Sequence, residues 1–178
     1  MTRKRSRANP TSRQAIGWRC ASCGRLITRI EDGWVEWLAN EPTQDRPAAR
    51  GLRLVHRTRS ASSTGNRCQY DFRREFRNDR SIVEGLPLER FVGADGLMLL
   101  LSFLAVGEMP NEEVLELAKR VQIPGYEQAR DLFRAGRELG VVVPAIRDGY
   151  YLQLEIHRLL RWAQVELQTN REQSISRS

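Results

Sequence analysis

Apolar positions fall in short strand-like runs before residue 80 and in helical stripes beyond residue 93. Ile27-Thr-Arg-Ile30 and Trp34-Val-Glu-Trp37-Leu38 have the length and the β-branched and aromatic content of strands. Glu31-Asp32-Gly33 between them is a turn signal, so the pair predicts a hairpin. Gly51-Leu-Arg-Leu-Val-His56 reads as a further strand, and a Ser/Gly-rich loop over residues 60–67 follows it. Residues 41–50, with Pro42 and Pro47, form an excursion within the same unit. Trp18, Trp34 and Trp37 are the large side chains from which so small a unit would build a core, with stacking on unpaired bases as their alternative use.

The second half changes period. Gly96-Leu-Met-Leu-Leu-Leu-Ser-Phe-Leu-Ala-Val106 is almost wholly apolar, as expected of a central helix in a bundle. Asn111 is a candidate N-cap for a second helix, with Glu112 and Glu113 in its first turn and Val114, Leu115, Ala118 and Val121 along one stripe. That helix should end at Pro124-Gly125. A third is predicted over residues 126–139, burying Ala129, Leu132, Phe133 and Gly136, with Gly140 just past its end. Val141-Val-Val143 and Tyr150-Tyr-Leu-Gln-Leu154 then flank a turn at Asp148-Gly149, predicting a hairpin. Ile156, Leu159, Leu160, Ala163 and Leu167 make a last stripe, with Trp162 and Val165 beside it. It has two uses open to it: packing on the first helix of its own unit, or forming a homodimer through residues 156–167.

These readings give an α+β chain. It comprises a basic arm (1–14), a β-rich unit (15–80), a linker (81–93), a helical unit (94–155) and a C-terminal helix with a polar tail (156–178). No apolar run approaches the roughly 20 residues of a membrane span, so no membrane partner is expected.

The candidate chemistry lies in the first unit. Cys20-Ala-Ser-Cys23-Gly24 places two thiols two residues apart on a tight turn, with a glycine able to take positive φ after the second. His56 and Cys68 complete a set of four ligands for one structural zinc ion, and iron is the alternative metal. Ordinary buried thiols or a redox pair would use the same residues, but no βαβ pattern surrounds the motif. The odd cysteine count and the lack of a secretory segment point to a reducing, cytoplasmic setting. His157 is a rival ligand, set apart on a helix of the other unit.

Charge separates the two halves. Residues 1–80 hold 18 Lys+Arg against 8 Asp+Glu, a balance of +10, and residues 81–178 hold 11 against 14, a balance of −3. The arm with Arg3, Lys4, Arg5 and Arg7 carries no acid and little to bury, as expected of a disordered cationic tail. Arg73, Arg74 and Arg77 make a second cationic patch. Both are expected to contact nucleic-acid phosphate, and a DNA-binding chain of this kind would be associated with the nucleoid.

The first knuckle resembles that of a zinc ribbon, although the second pair of ligands is not a second Cys-x-x-Cys. Residues 94–155, three helices followed by a hairpin, resemble a winged helix-turn-helix domain. The resemblance implies a third helix in the major groove of duplex DNA and a wing at the backbone. Carried over, it assigns Gln128, Arg130, Arg134 and Arg137 to the reading helix and Arg147 to the wing. The same helix carries Glu127, Asp131 and Glu138 on its expected exposed face beside Arg134, a pattern that disfavours phosphate and suits local ion pairs. Winged helices also dock proteins.

Catalysis finds little support. A nuclease using His56 with Asn66 and Asp71 or Glu75 would need the same histidine as ligand and as base. No phosphate-binding loop, nucleophile elbow or His-Glu-x-x-His motif is present. The expectation is a non-enzymatic DNA-binding protein, used in transcription regulation. The alternative is an adaptor in a replication, conjugation or phage-defence assembly whose winged helix binds protein.

Overall fold

The computed structural model describes residues 17–41, 48–58, 68–145 and 147–175. The arm over residues 1–14, the loop over residues 60–67 and most of the excursion over residues 41–50 lie outside them.

The chain is α+β. Strands β1 (Trp18–Arg19) and β2 (Leu26–Ile27) form a two-residue antiparallel ladder around the Cys20–Cys23 turn. Strand β3 (Gly33–Ala39) is the centre of a second antiparallel sheet, flanked by β4 (Ala49–His56) and β5 (Ile82–Pro87). The hairpin expected across Glu31-Asp32-Gly33 is not formed. Residues Ile30–Asp32 make a 3₁₀ turn, and Gly33 has φ −92°, extended backbone that cannot supply the positive φ a tight hairpin turn requires. β2 and β3 consequently belong to different sheets.

Being central, β3 is covered on both faces. Val35 and Trp37 point toward the helices, where Trp37 meets Phe103 edge-on at 5.6 Å between ring centroids. Trp37 is core, as expected of a small unit. Glu36, on the opposite face, sits beneath the segment that carries Cys68 and Tyr70. Between Glu36 and Leu38 the β3–β4 register shifts, with Gly51 at φ +70° in the extra stretch of β4. The bulge turns the Leu52 N–H away from the ladder, and Glu113 accepts it at 2.7 Å.

The stretch from residue 72 to residue 91 holds elements that were not anticipated. Helix α1 (Phe72–Asp79) is capped by Asp71, whose carboxylate accepts the N–H groups of Arg73 and Arg74. It ends with Arg80 at φ +64°, from which the chain turns into β5. The span 81–93, expected as a linker, holds β5 and a 3₁₀ turn at Leu88–Phe91 whose Leu88 and Phe91 are fully buried.

Helix α2 (Gly93–Val106) packs on that turn. A Cβ at Gly96 would lie 2.1 Å from the Phe91 carbonyl carbon, so only glycine allows so close an approach. Against expectation α2 is not a central helix: Leu100 is buried, while Leu97, Met98, Leu101 and Val106 are exposed. Its near-uniform apolarity hides the fact that a single stripe meets the sheet.

Helix α3 (Asn111–Gln122) starts one residue earlier than expected; Pro110 is the N-cap, and Asn111 is its first helical residue. The third helix is divided into α4 (Tyr126–Ala129), a 3₁₀ turn at Arg130–Leu132, and α5 (Phe133–Glu138), and Gly140 follows at φ +69° as predicted.

The expected wing strands are absent among the described residues. The N–H groups of Val141 and Val142 fold back onto the Gly136 carbonyl, and a turn closes through the Ala145 N–H to the Tyr150 carbonyl. The segment read as the second wing strand instead runs into helix α6 (Gln153–Ile175). Ile156 and Leu159 of α6 pack with Tyr126, Ala129, Phe133, Val142 and Tyr151, where Phe133 and Tyr151 stack at 4.0 Å. The apolar stripe of α6 therefore serves α4 and α5, not α2; the Leu167 side chain lies outside the described residues.

Candidate metal centre and nucleic-acid interface

The Cys-x-x-Cys turn is held by its own backbone. Cys20 N–H donates to the Arg25 carbonyl at 2.9 Å and Gly24 N–H to the Cys20 carbonyl at 2.9 Å, with Gly24 at φ +72°. The Ala21 N–H donates to the Leu54 carbonyl at 2.8 Å, which fastens the turn to β4. His56 arrives at the end of β4. Cys68 arrives on the chain that crosses the outer face of the sheet, where Arg53 donates to its carbonyl at 3.2 Å and Glu36 accepts the Tyr70 N–H at 2.9 Å.

The ligand atoms of Cys20, Cys23, His56 and Cys68 all lie within 4.8 Å of one another and can hold a metal ion. His56 presents Nδ1 to the cluster, 3.5 Å from Cys23 Sγ and 3.8 Å from Cys68 Sγ. Its Nε2 is 3.4 Å from the Leu26 carbonyl, which selects the tautomer that leaves Nδ1 free to ligate. Cys20 and Cys68 are buried.

The thiols do not titrate alike. Burial raises the Cys23 thiol, but hydrogen bonds from the Arg25 backbone and side chain, then from Cys20 and Cys68, outweigh it and bring it down to about 6. Burial pushes Cys68 up to about 12, helped by its hydrogen bonds with Cys23 and Cys20. Arg25, unremarked in the sequence, is thus the cation that favours a thiolate here. His157 stands apart on α6, exposed and paired with Gln153.

The expected nucleic-acid contacts separate into two groups. Arg3, Lys4, Arg5 and Arg7 lie outside the described residues. On the third helix, Arg130 is 3.7 Å from Glu127 and 3.8 Å from Glu116, Arg134 is 3.0 Å from Glu138, and Arg137 is 2.6 Å from Asp148. Arg147 donates to the Tyr150 hydroxyl, and Gln128 is exposed on α4. Glu127, expected on the solvent face, is buried: Arg120 donates to it, and so does the Arg19 N–H. Asp131 pairs with Arg19, not with Arg134.

Arg73, Arg74 and Arg77 are exposed on α1. Arg74 pairs with Glu75 at 2.8 Å, whereas Arg73 and Arg77 have no carboxylate partner among the described residues. Beside them stand Phe72 and Phe76, which sequence reasoning passed over. The available signal was the pairing of a capping Asp71 with aromatics four residues apart in an otherwise charged segment.

In comparisons with protein-family models, with curated proteins and with solved structures, nothing matches this chain.

Proposed function

We propose that the chain is a non-enzymatic nucleic-acid-binding protein, and that its metal-supported sheet unit, not its third helix, carries the contact surface. The observation that carries the reading is the contrast between the two arginine groups. Arg73 and Arg77 are exposed on α1 without carboxylate partners among the described residues, whereas Arg130, Arg134 and Arg137 each face an acid. A phosphate that approached the third helix would have to displace those carboxylates, while α1 offers its cations directly.

The metal in this proposal is zinc with a structural role. Tetrahedral ligation with Zn–S of about 2.3 Å and Zn–N of about 2.05 Å sets sulfur-to-nitrogen edges of about 3.6 Å. Cys23 and Cys68 stand 3.5 and 3.8 Å from His56 Nδ1. All four positions would be filled by protein, which leaves no open site for catalysis.

Two charge-reversed double variants test the interface by fluorescence anisotropy over a salt series. Arg73→Glu with Arg77→Glu should weaken binding to labelled nucleic acid by at least about tenfold and flatten its salt dependence, while Arg134→Glu with Arg137→Glu should change little. The reverse outcome returns the reading role, and with it transcription regulation from duplex DNA, to the third helix.

A second reading has its own support. Leu97, Met98, Leu101 and Val106 of α2 are exposed together, a surface suited to a protein partner in an adaptor.

A further inference from the structure

We infer that the α1 surface takes single-stranded nucleic acid, with Phe72 and Phe76 as base-stacking platforms beside a row of arginines. This rests on the proposed nucleic-acid interface and specifies its ligand. Phe72 is 62% exposed and Phe76 46% exposed, on a helix whose other residues are nearly all charged. They are four residues apart and so share one face. Arg73 and Arg77 repeat at the same helical spacing one position further on, and Arg80 follows just past the helix end, which lays cations alongside the rings. The guanidinium of Arg73 is 5.6 Å from the Phe72 centroid and that of Arg80 is 5.0 Å from the Phe76 centroid.

A groove of about 600 Å³ runs between this helix and the start of β5, lined by Phe72, Phe76, Ile82 and Val83 with Arg73 and Arg77, and no carboxylate lines it. The acids of α1 point elsewhere. Asp71 caps the helix, Glu75 is buried against Arg74, and Asp79 holds Arg50. Phe72 and Arg73 also border a second, polar cleft with Thr58, Gln69, Arg74 and the helix-capping Asp71, so the surface continues past the end of the apolar groove.

A duplex hides its base faces in stacking and would leave both rings without a partner. Four residues of helix rise about 6 Å, whereas stacked bases repeat at about 3.4 Å. The two rings are therefore spaced for bases spread apart, as only an unpaired strand presents them. Base-on-aromatic stacking with cations following the backbone is the general form of single-strand recognition. An acidic peptide would satisfy the arginines but needs neither flat exposed rings nor a polar continuation of the groove.

The test uses the full, metal-loaded chain and fluorescence anisotropy with a labelled oligothymidine of about 16 nucleotides, a duplex of equal length and an abasic strand of equal length. Oligothymidine is expected to bind most tightly, with the abasic strand at least about fivefold weaker. Phe72→Leu with Phe76→Leu keeps the apolar surface but removes the rings; it should lose at least about fivefold for oligothymidine while leaving the salt slope unchanged. Arg73→Gln with Arg77→Gln should lower that slope by about 1.4, two phosphates at about 0.7 each. Circular dichroism and metal content confirm that both variants fold.

Duplex preferred over oligothymidine, or an unchanged affinity in the phenylalanine variant while the arginine variant weakens, would overturn the stacking site and leave the nucleic-acid interface standing. Failure of all three nucleic acids to bind, with an acidic Glu/Leu peptide bound through the same residues, would overturn both.

Discussion

Arg120 and Glu127 form a buried, two-pronged ion pair, Nε to Oε2 at 2.7 Å and Nη2 to Oε1 at 2.8 Å, and both residues also grip the backbone of Arg19. Glu127 Oε1 accepts the Arg19 N–H at 2.6 Å, and Arg120 Nη2 donates to the Arg19 carbonyl at 2.6 Å. Arg19 immediately precedes Cys20, the first residue of the Cys/His cluster. The pair therefore joins α3 and α4 to the strand that leads into the Cys20–Cys23 turn, and it links the two hydrophobic clusters.

Removing one member of such a pair leaves the other buried without its counter-charge. Glu127→Ala is expected to cost about 3–5 kcal/mol, a large share of the roughly 5–15 kcal/mol that holds a domain of this size. Urea unfolding followed by circular dichroism reads the loss. A change below about 1 kcal/mol would mean that Arg120 finds water in the variant.

Metal removal should be felt first around the turn. The Cys20, Ala21 and Gly24 amides are hydrogen-bonded, and chelation is expected to speed their hydrogen exchange well before that of Ala129 in the other cluster. Metal analysis should return one ion per chain for the native sequence, and Cys68→Ser should lower it. A chain whose exchange pattern is indifferent to chelator would show that the four residues are buried thiols and a neighbouring imidazole only.

The Cys/His cluster was legible because Cys-x-x-Cys-Gly dictates local backbone geometry, and two histidines and a third cysteine leave few partners to choose from. The helices after residue 93 were legible from Gly140 and from the stripes of Val114 and Phe133. What failed were inferences across distance. The residues of β5, Ile82 to Pro87, carry a glycine and a proline and alternate weakly, so only pairing with β3 makes them a strand. Glu127 looked solvent-facing on a helical projection because its partners, Arg120 and the backbone of Arg19, come from other elements. Tyr150 to Leu154 had strand composition, yet Gln153 begins a helix whose first turn closes through the Glu155 and Ile156 N–H groups on the Leu152 carbonyl, while the Gln153 side chain donates to the Pro124 carbonyl at 2.9 Å.

Glu36 sets a pH dependence. It is fully buried on the central strand, with Oε1 taking Arg53 and the Tyr70 N–H and Oε2 without a hydrogen-bond partner among the described residues. Burial raises its pKa above the ordinary glutamate range, and Arg53 only partly opposes that. A carboxyl raised on folding contributes stability that is complete below its unfolded pKa and is lost as pH rises through the folded value. Glu36→Gln cannot ionise, so its stability relative to the native chain should improve as pH climbs from about 4 toward 7. Urea midpoints of both chains across that range give the comparison, and the difference cancels the titration of the thiols. Parallel curves would mean that Arg53 and the Tyr70 N–H offset the burial fully and leave the folded pKa at its unfolded value.

Cutting the chain before residue 81 should not release an independently folded helical unit. The cut strips β5 of β3, its hydrogen-bonded neighbour from Trp34 to Ala39. It also uncovers Leu88, Phe91 and Leu100, each at most 1% exposed and packed in one cluster with Val35, Trp37 and Leu54. Fully burying an apolar side chain of this size is worth about 1.5–3 kcal/mol. Exposing three of them therefore approaches the whole stability of a small domain. A fragment of residues 81–178 is expected to show reduced ellipticity and an exposed apolar surface by dye binding. A fragment beginning at residue 124 would keep the Tyr126, Phe133 and Ile156 cluster but lose the Arg120 partner of buried Glu127. Cooperative thermal unfolding of residues 81–178 would show instead that α2, α3 and the second cluster stand without the sheet.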